Sequence, residues 1–286
     1  MRLVNEHPTA WITGAGGLIG SHLLGVATAI APTWNVIGLT RNEIDLTDRS
    51  HLESLFRQQR PAVIIHCAAL SRSPDCQREP ALARRQNVEV TRHLAELAAE
   101  IPLVFLSTDL VFDGRKGSYR ETDAVNPLSV YAETKVEAEA VVLANPRHLV
   151  VRTSLNAGQS PTGDRGMDEQ LFLAWRAGQT MALFVDEFRC PIPAEATARA
   201  IWELVNAGAT GLYHVAGAGK LSRWQIGELL SAGRPEFRSL IRPGSLKDYE
   251  GAPRSPDTSL NCAKAQAKLS FPLPSFSAWL STHPSP

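Results

Sequence analysis

The residues whose types and spacing first suggest chemistry are Tyr131 and Lys135, in the segment YAETK. Four residues apart on a helix, their side chains lie on the same face, about 6 Å apart along the axis. A Lys ammonium beside a phenol stabilises the phenolate and lowers the pKa of the Tyr, which suits proton exchange with an alkoxide. Tyr and Lys at this spacing are also common on solvated helix faces, so the pair needs support from its surroundings.

A glycine-rich turn near the start of the chain supplies that support. Residues 9–20 read TAWITGAGGLIG, an apolar run followed by Gly14, Gly17 and Gly20 and then by a helix-like segment. In a strand–turn–helix unit such glycines let backbone N–H groups approach a diphosphate, and the helix start adds its positive dipole end. Glycines between strand and helix also occur for steric reasons alone. Because another apolar run, 33–40, follows at βαβ distance, we interpret the turn as a dinucleotide site.

The residues after the second predicted strand, 36–40, bear on the choice of cofactor. An acidic side chain at the end of this strand usually binds the ribose 2′-hydroxyl of NAD, whereas an Arg there can pair with the 2′-phosphate of NADP. Arg41 follows Thr40 directly. The sequence therefore favours NADP(H) as the cofactor and leaves NAD(H) open, and a solvated surface Arg is the alternative interpretation.

The remaining apolar patterns predict the elements that must position these residues. Strands and helices alternate between residues 9 and 154, which is typical of an α/β fold with a doubly wound parallel sheet, a Rossmann fold. Ser107, Thr108 and Asp109 end one of these strands, where open α/β sheets place their chemistry. The other predicted elements are strands over 62–70, 102–108 and 148–154 and helices over 45–60, 80–100 and 126–146.

The alternation breaks after residue 155. We predict an NAD(P)-binding domain over 1–155 and a smaller C-terminal α/β region over 156–286 that mainly binds substrate, with 181–217 partly returning to the main sheet. A polar loop, 156–166, is a candidate substrate loop. The predicted elements of this region are helices over 167–178, 194–208 and 221–233, strands over 181–186, 211–217 and 237–242, and two short helices near the end.

Composition argues against several other classes of protein. The chain has 286 residues with 29 basic and 29 acidic side chains, so no net charge attracts nucleic acid or an anionic membrane. Its four cysteines form neither a CxxC pair nor a dense disulfide framework, and we expect reduced thiols and no metal site. With no signal core and no apolar run of about 18 residues, we expect a cytoplasmic protein. Composition does not decide the oligomeric state, and a homodimer stays open.

Several motifs together carry a resemblance to a known family. In this order and spacing, TGAGGLIG, DLTD, HCAA, RQNVEVT, STDLVFDG, YAETK and VVRTS resemble the extended short-chain dehydrogenase/reductase superfamily. More narrowly, STDLVFDG and YAETK resemble the dTDP-4-dehydrorhamnose reductase family. The similarity covers nearly the whole chain, including VDEFRCPIPAEATARAIWEL and DTSLNCAKAQAKL.

This resemblance implies roles for the matching residues. Tyr131 would be the general acid/base, Lys135 would hold the nicotinamide ribose, and Thr108 would hydrogen-bond the reacting oxygen. The implied reaction is hydride transfer from the nicotinamide to a keto carbon of a nucleotide-linked sugar. The further cofactor contacts that the resemblance implies are Gly14, Gly17, Leu18, Ile19 and Gly20 at the diphosphate, Asp45 and Leu46 at the adenine, Cys67, Ala68 and Ala69 at the ribose and nicotinamide, and Asn87 as a supporting residue.

The substrate side departs from the family pattern. We assign Ser71, Thr108, Asp109 and Leu155 to it, and both Leu110 and Leu155 stand where the family usually carries aromatic side chains. Superfamily dehydratases need a Glu at the position of Leu110, and a Leu cannot move a proton, which disfavours dehydration. Two alternatives to the reductase stay open: a sugar-nucleotide 4-epimerase with the same catalytic residues, and a non-catalytic NADP-binding regulatory subunit.

Overall fold

The computed structural model describes residues 7–283, so residues 1–6 and 284–286 of the two predicted domains lie outside the described residues. Within the described range, strands and helices alternate through the first half of the chain. The strands are β1 (Thr9–Thr13), β2 (Asn35–Leu39), β3 (Val63–His66), β4 (Leu103–Thr108), β5 (Leu149–Thr153), β6 (Asn156–Ala157), β7 (Met181–Phe184), β8 (Phe188–Arg189), β9 (Ile192–Pro193), β10 (Gly211–Val215), β11 (Leu221–Ser222) and β12 (Ile241–Gly244).

Helices flank these strands. The α-helices are α1 (Leu18–Ile30), α2 (Arg49–Gln59), α3 (Ser73–Arg78), α4 (Pro80–Arg84), α5 (Val90–Leu97), α6 (Val130–Leu143), α7 (Met167–Arg176), α8 (Ala194–Asn206), α9 (Arg223–Ala232), α10 (Ala263–Gln266) and α11 (Phe276–Thr282). Shorter helical turns cover Arg85–Glu89, Asp109–Val111, Pro235–Leu240 and Leu246–Asp248. None of the helices between residues 7 and 283 is long and apolar enough to cross a membrane.

The main sheet has six parallel strands in the order β10-β5-β4-β3-β1-β2. Its central strands are buried on both faces, as parallel sheets require, and an apolar cluster fills each side. One cluster packs α1 and α8 against the sheet, with the indole of Trp202 donating to the Leu23 carbonyl at 2.9 Å. The predicted doubly wound fold is therefore confirmed, and its carboxyl edge is one continuous rim.

Helix α6 carries the Tyr–Lys pair, and its start is set by the sequence. The hydroxyl of Ser129 accepts from the Ala132 N–H at 3.3 Å, which caps the first turn. Its inner face packs against β4 and β5 with Ala138 and Val142 fully buried. Capping and packing together fix the helix so that its first turns, with Tyr131 and Lys135, lie at the carboxyl edge of the sheet.

Two predicted elements are wrong in detail. The single helix predicted over 80–100 is interrupted by a π-helical turn, Arg85–Glu89, which turns Asn87 into the core. A π turn inserts one residue into a 3.6-residue period, and apolar spacing alone does not reveal it. The strand predicted over 237–242 is mostly a 3₁₀ turn, because Pro235 begins it, and only β12 pairs, with β7.

The C-terminal region builds its own small core beside the rim. Two-stranded sheets pair β7 with β12, β8 with β11 and β6 with β9. Helices α7, α9 and α11 close a third apolar cluster around Phe172, Trp175 and Phe237. β10 lies in the main sheet beside β5. The division into a cofactor domain and a substrate region stays a prediction.

Candidate active site

The glycine turn between β1 and α1 packs too tightly for side chains at Gly14 and Gly20. Gly14 has φ +69°, and a Cβ there would lie 2.7 Å from the Ala68 backbone nitrogen. A Cβ on Gly20 would overlap the carbonyl oxygen of Gly14, and Gly17 donates its N–H to the same oxygen at 2.9 Å. The first turn of α1 therefore presents its backbone N–H groups in a tight cradle, because a helix start leaves them without intrahelical acceptors.

Leu18 and Ile19 follow this cradle in the first turn of α1. Leu18 is buried, and Ile19 packs against the apolar cluster that α1 forms with the sheet. The diphosphate role that the resemblance gives these two residues stays a prediction.

The segment after β3 lies beside the glycine turn and is held by Asn87. The Asn87 amide accepts from the Leu70 N–H at 2.8 Å and donates to the Leu70 carbonyl at 3.1 Å. Cys67, Ala68 and Ala69 precede Leu70 and are half-buried. Asn87 is thus a support for this segment, with both ends of its amide already bonded inside the protein.

A buried polar chain links this segment to β1. The hydroxyl of Thr13 hydrogen-bonds to His66 Nδ1 at 2.7 Å, and His66 Nε2 bonds to the Thr91 hydroxyl at 3.1 Å. Burial, and to a lesser extent the charge of Lys135, lowers the pKa of His66 to about 3, so the ring is neutral. Sequence reasoning missed this chain, since a lone His in an apolar strand is an unspecific signal.

Thr108 and Tyr131 meet at the carboxyl ends of the strands, as the sequence predicts. Tyr131 is half-buried, and burial is the main cause that raises the pKa of its phenol, followed by the negative charge of Asp109. A hydrogen bond with the Thr108 side chain opposes this and lowers the pKa of Tyr131. The prediction that Lys135 lowers this pKa is wrong: the structure keeps Tyr131 a neutral phenol around pH 7.

Lys135 is directed toward the backbone of β4. Its ammonium donates to the Leu106 carbonyl at 2.6 Å and lies 3.8 Å from the centroid of the Phe105 ring. Burial lowers the pKa of Lys135 to about 7, and the nearby Glu139 acts in the opposite sense. Because Glu139 already forms a buried ion pair with Arg152, with oxygen–nitrogen distances of 2.6 and 2.9 Å, it cannot neutralise Lys135 fully.

Asp109 ties the rim to the C-terminal region. Its carboxylate accepts from the Ser154 hydroxyl at 2.7 Å and from the Thr258 hydroxyl at 2.9 Å, and Arg189 lies 3.8 Å away. Burial is the main cause that raises the pKa of Asp109, and these partners oppose it. The carboxylate of this predicted substrate residue is thus already bonded by protein groups, so it connects the segments that carry those groups.

Beyond Asp109 lies a cluster of charges that the sequence analysis did not single out. The buried carboxylate of Glu187 pairs with Arg254 at 2.6 and 2.9 Å and with Arg189 at 3.1 Å. Arg223 lies close enough for its charge to lower the pKa of Glu187. The guanidinium groups of Arg189, Arg223 and Arg254 outnumber the carboxylates of Asp109 and Glu187. The local charge beside the rim is therefore positive. The signal was present as charges in the motif VDEFRCP, but their convergence depends on residues far apart in the chain.

The remaining predicted residues follow the strands β2, β3 and β5. Arg41 and Asp45 are exposed after β2, and the Asp45 carboxylate accepts from the Thr47 N–H at 2.9 Å. Leu46 packs into the second apolar cluster. Ser71 is exposed, and Leu155 packs against the core of the C-terminal region. The adenine and substrate roles given to these residues stay predictions.

No group of three His, Cys, Asp or Glu side chains within residues 7–283 is placed to hold a metal ion. All four cysteines are free thiols. Burial raises the pKa of Cys67 and of Cys262 to about 12 and that of Cys190 to about 11, so these thiols are protonated and unreactive at neutral pH.

The Rossmann sheet, the glycine cradle and the Tyr–Lys pair on one rim define the class of the protein, an NAD(P)-dependent oxidoreductase. Residues 9–283 match the family described as RmlD substrate binding domain, and the chain belongs to this family. The family predicted from the motifs is therefore confirmed.

Individual proteins are similar to the chain over most of its length. The chain is 30% identical over 280 residues to the dTDP-4-dehydrorhamnose reductase of Sinorhizobium fredii, with 93% of each chain covered. It is 28% identical over 273 residues to the methionine adenosyltransferase 2 subunit beta of Xenopus laevis, covering 90% of this chain and 81% of that one. The dTDP-4-dehydrorhamnose reductase of Bacillus anthracis, crystallised with NADP, shares the fold with a TM-score of 0.85 at 22% identity, covering 96% and 98% of the two chains.

Proposed function

We propose that the chain is an NAD(P)H-dependent reductase, with NADP(H) favoured, that reduces a keto group of a nucleotide-linked sugar. The observation that supports this proposal is the hydrogen bond between Thr108 and Tyr131 on the rim that also carries the glycine cradle, with Lys135 one turn further along α6 bonded to the Leu106 carbonyl. Relatives named dTDP-4-dehydrorhamnose reductase support the substrate class, a 4-keto sugar on a nucleotide.

The residues of the cradle fit a dinucleotide. An added Cβ would strike the Ala68 backbone at Gly14 and the backbone of the turn itself at Gly20, and Gly17 is the N-cap of α1 without a side-chain cap. Such a helix start, stripped of side chains, suits a diphosphate. When bound, the nicotinamide supplies the hydride. Arg41, exposed after β2, would hold a 2′-phosphate, and Lys135 would hold the ribose next to the nicotinamide.

The protein's own contribution is to position the sugar and to move a proton. Tyr131, kept protonated by burial and by Asp109, would donate its proton to the sugar oxygen as that oxygen gains charge. Thr108 would donate a hydrogen bond to the same oxygen. The positive excess around Glu187 would favour the anionic nucleotide part of the substrate, because unlike charges attract strongly in a partly buried site.

The test is the Tyr131→Phe variant. It should bind NADPH as the wild type does, whereas the rate of keto-sugar reduction should fall by at least about a hundredfold, the usual contribution of a general acid. NADPH oxidation is followed at saturating cofactor with dTDP-4-keto-6-deoxy sugars. Full activity of the variant would contradict the role of Tyr131. An epimerase would interconvert sugars without net oxidation of added NADPH.

A second candidate is a regulatory subunit that binds the dinucleotide without turnover. The similarity to a protein named as a subunit of methionine adenosyltransferase favours it, and so do Leu110 and Leu155, where the reductase family usually has aromatic residues. A chain that binds NADPH but oxidises none with any nucleotide sugar of a broad panel would establish this candidate over the reductase.

A further inference from the structure

A carboxylate lies at the end of β2, where doubly wound folds recognise the 2′ position of the adenosine ribose. Oε2 of Glu43 accepts from the Thr40 backbone N–H at 2.7 Å and from the Thr40 hydroxyl at 2.7 Å. Sequence reasoning considered Arg41 for the choice of cofactor because it directly follows Thr40. It did not consider Glu43, which comes three residues after Thr40. The turn of the backbone brings it back onto Thr40.

Thr40 stands next to the glycine turn. The carbonyl of Leu39 accepts from the Ala15 N–H at 3.3 Å, and a Cβ on Gly16 would lie 3.9 Å from the Thr40 methyl group. A ligand in the glycine cradle that extends toward β2 therefore reaches Thr40 and its bound carboxylate.

The position of Glu43 is held from both sides. The N–H groups of Glu43 and Ile44 both donate to the Thr40 carbonyl at 3.1 Å, which closes a tight turn. Ile44 is 4% exposed and anchors this turn in the apolar cluster under the sheet. The two hydrogen bonds from Thr40 lower the pKa of Glu43, and the bond from the hydroxyl has a larger effect than the bond from the backbone N–H. The carboxylate is therefore charged at neutral pH.

We propose that Glu43 sets the cofactor preference of the chain by occupying the Thr40 donors that would otherwise serve a ribose 2′-phosphate. This inference rests on the proposed dinucleotide function. A 2′-phosphate must displace the Glu43 carboxylate or lie beside it, and like charges at contact repel. A 2′-hydroxyl can instead donate to the carboxylate and gains a charge-assisted hydrogen bond. Arg41 attracts the phosphate and Glu43 repels it, so the preference between NADPH and NADH is the balance of the two.

The experiment compares dissociation constants of NADPH and NADH for the wild type and the Glu43→Gln variant. They are measured by nicotinamide fluorescence at one fixed ionic strength. Glu228→Gln is the matched control, since it removes one exposed carboxylate from α9, remote from β2. Because Glu43 is exposed, the variant should fold, and equal melting temperatures verify this.

In Glu43→Gln the ratio Kd(NADPH)/Kd(NADH) should fall by at least about tenfold, because NADPH binds more tightly and NADH more weakly. Glu228→Gln should leave the ratio within about twofold of the wild type. An unchanged ratio in Glu43→Gln, with both dinucleotides binding, would overturn the role of Glu43 alone. If the wild type bound neither dinucleotide, the proposed function itself would fail, and this inference with it.

Discussion

The residues before 155, predicted to bind the cofactor, and the C-terminal region reach the same rim of the sheet by different means. The first of these regions uses short local segments, with Gly14, Gly17 and Gly20 in one turn and Tyr131 and Lys135 on one turn of α6. The C-terminal region uses contacts between residues far apart, such as the hydroxyl of Thr258 on Asp109, which is 149 residues earlier in the chain. Local spacing can be recognised in a sequence, whereas a distant ion pair depends on the complete fold.

This difference predicts that the two regions can be damaged separately. A change in the glycine cradle should weaken dinucleotide binding, and a change in the contacts of Asp109 should act on the sugar. Each of the following variants tests that separation, and each has a partner variant or a second measurement that isolates the cause.

The largest effect is expected from Gly14→Ala. The left-handed backbone and the 2.7 Å approach to Ala68 together should lower the free energy of unfolding by about 2–4 kcal/mol. NADPH affinity should drop by at least about tenfold, since the turn must move. Gly163→Ala is the control: its φ is +71° and, among the described residues, nothing lies within 4 Å of its added Cβ.

Gly163→Ala should therefore be destabilised only by the strain of the left-handed backbone, about 1–2 kcal/mol, and should keep its NADPH affinity. Urea unfolding gives the stabilities, and fluorescence titration gives the affinities. Equal losses of affinity in both variants would show that general destabilisation, and not the cradle, controls binding.

The second effect is expected from Thr258→Val. Removing the hydroxyl takes a donor from the buried Asp109 carboxylate and should cost about 1–3 kcal/mol. The KM for the sugar substrate should rise while NADPH affinity stays constant. Thr282→Val removes an exposed hydroxyl that bonds to the Trp279 carbonyl, and it should cost less than about 0.5 kcal/mol. A loss of NADPH affinity in Thr258→Val equal to its rise in KM would mean that the two regions act as one unit.

The smallest effect for a single step, one unit of pH, is a pH dependence from Lys135. Its pKa is about 7 in the folded chain and higher when unfolded, so between these values the unfolded chain holds a proton that the folded chain lacks. Raising the pH above 7 should therefore stabilise the wild type by up to about 1.4 kcal/mol per pH unit, and below pH 7 this contribution should be constant. Lys135→Met removes this slope. Urea unfolding of both proteins at pH 6 to 9 measures it, and parallel curves would refute the lowered pKa.

The sequence predicted the doubly wound sheet and the rim because apolar runs, glycines and prolines act through their neighbours. The same local signals predicted Thr108 at the end of a strand, where β4 ends, and the roles of Thr108, Tyr131 and Lys135 stay predictions. Sequence reasoning did not predict the π turn at Asn87, because one inserted residue barely disturbs the apolar spacing of the helix. It also gave Lys135 the wrong effect on Tyr131, since a spacing along a helix does not tell where an ammonium points.

The charge clusters could not be predicted from the sequence for a related reason. Glu187, Arg189 and Arg254 come together only when the loop before α10 folds back onto β8, and Glu43 reaches Thr40 only through a tight turn. In both cases the sequence shows the charges but not their partners. A Thr followed three residues later by the carboxylate that accepts its hydrogen bonds is a pattern that could be sought in other sequences after a second β-strand.

The dependence of Asp109 on Thr258 also orders events during protein synthesis. A nascent chain that has just passed residue 155 already contains the glycine turn, the Tyr–Lys helix and the Ser154 hydroxyl that donates to Asp109. The Arg189 guanidinium and the Thr258 hydroxyl, which also face this carboxylate, are still to be made. A chain that stopped between residues 155 and 189 would thus lack two of the partners that oppose the cost of burying Asp109.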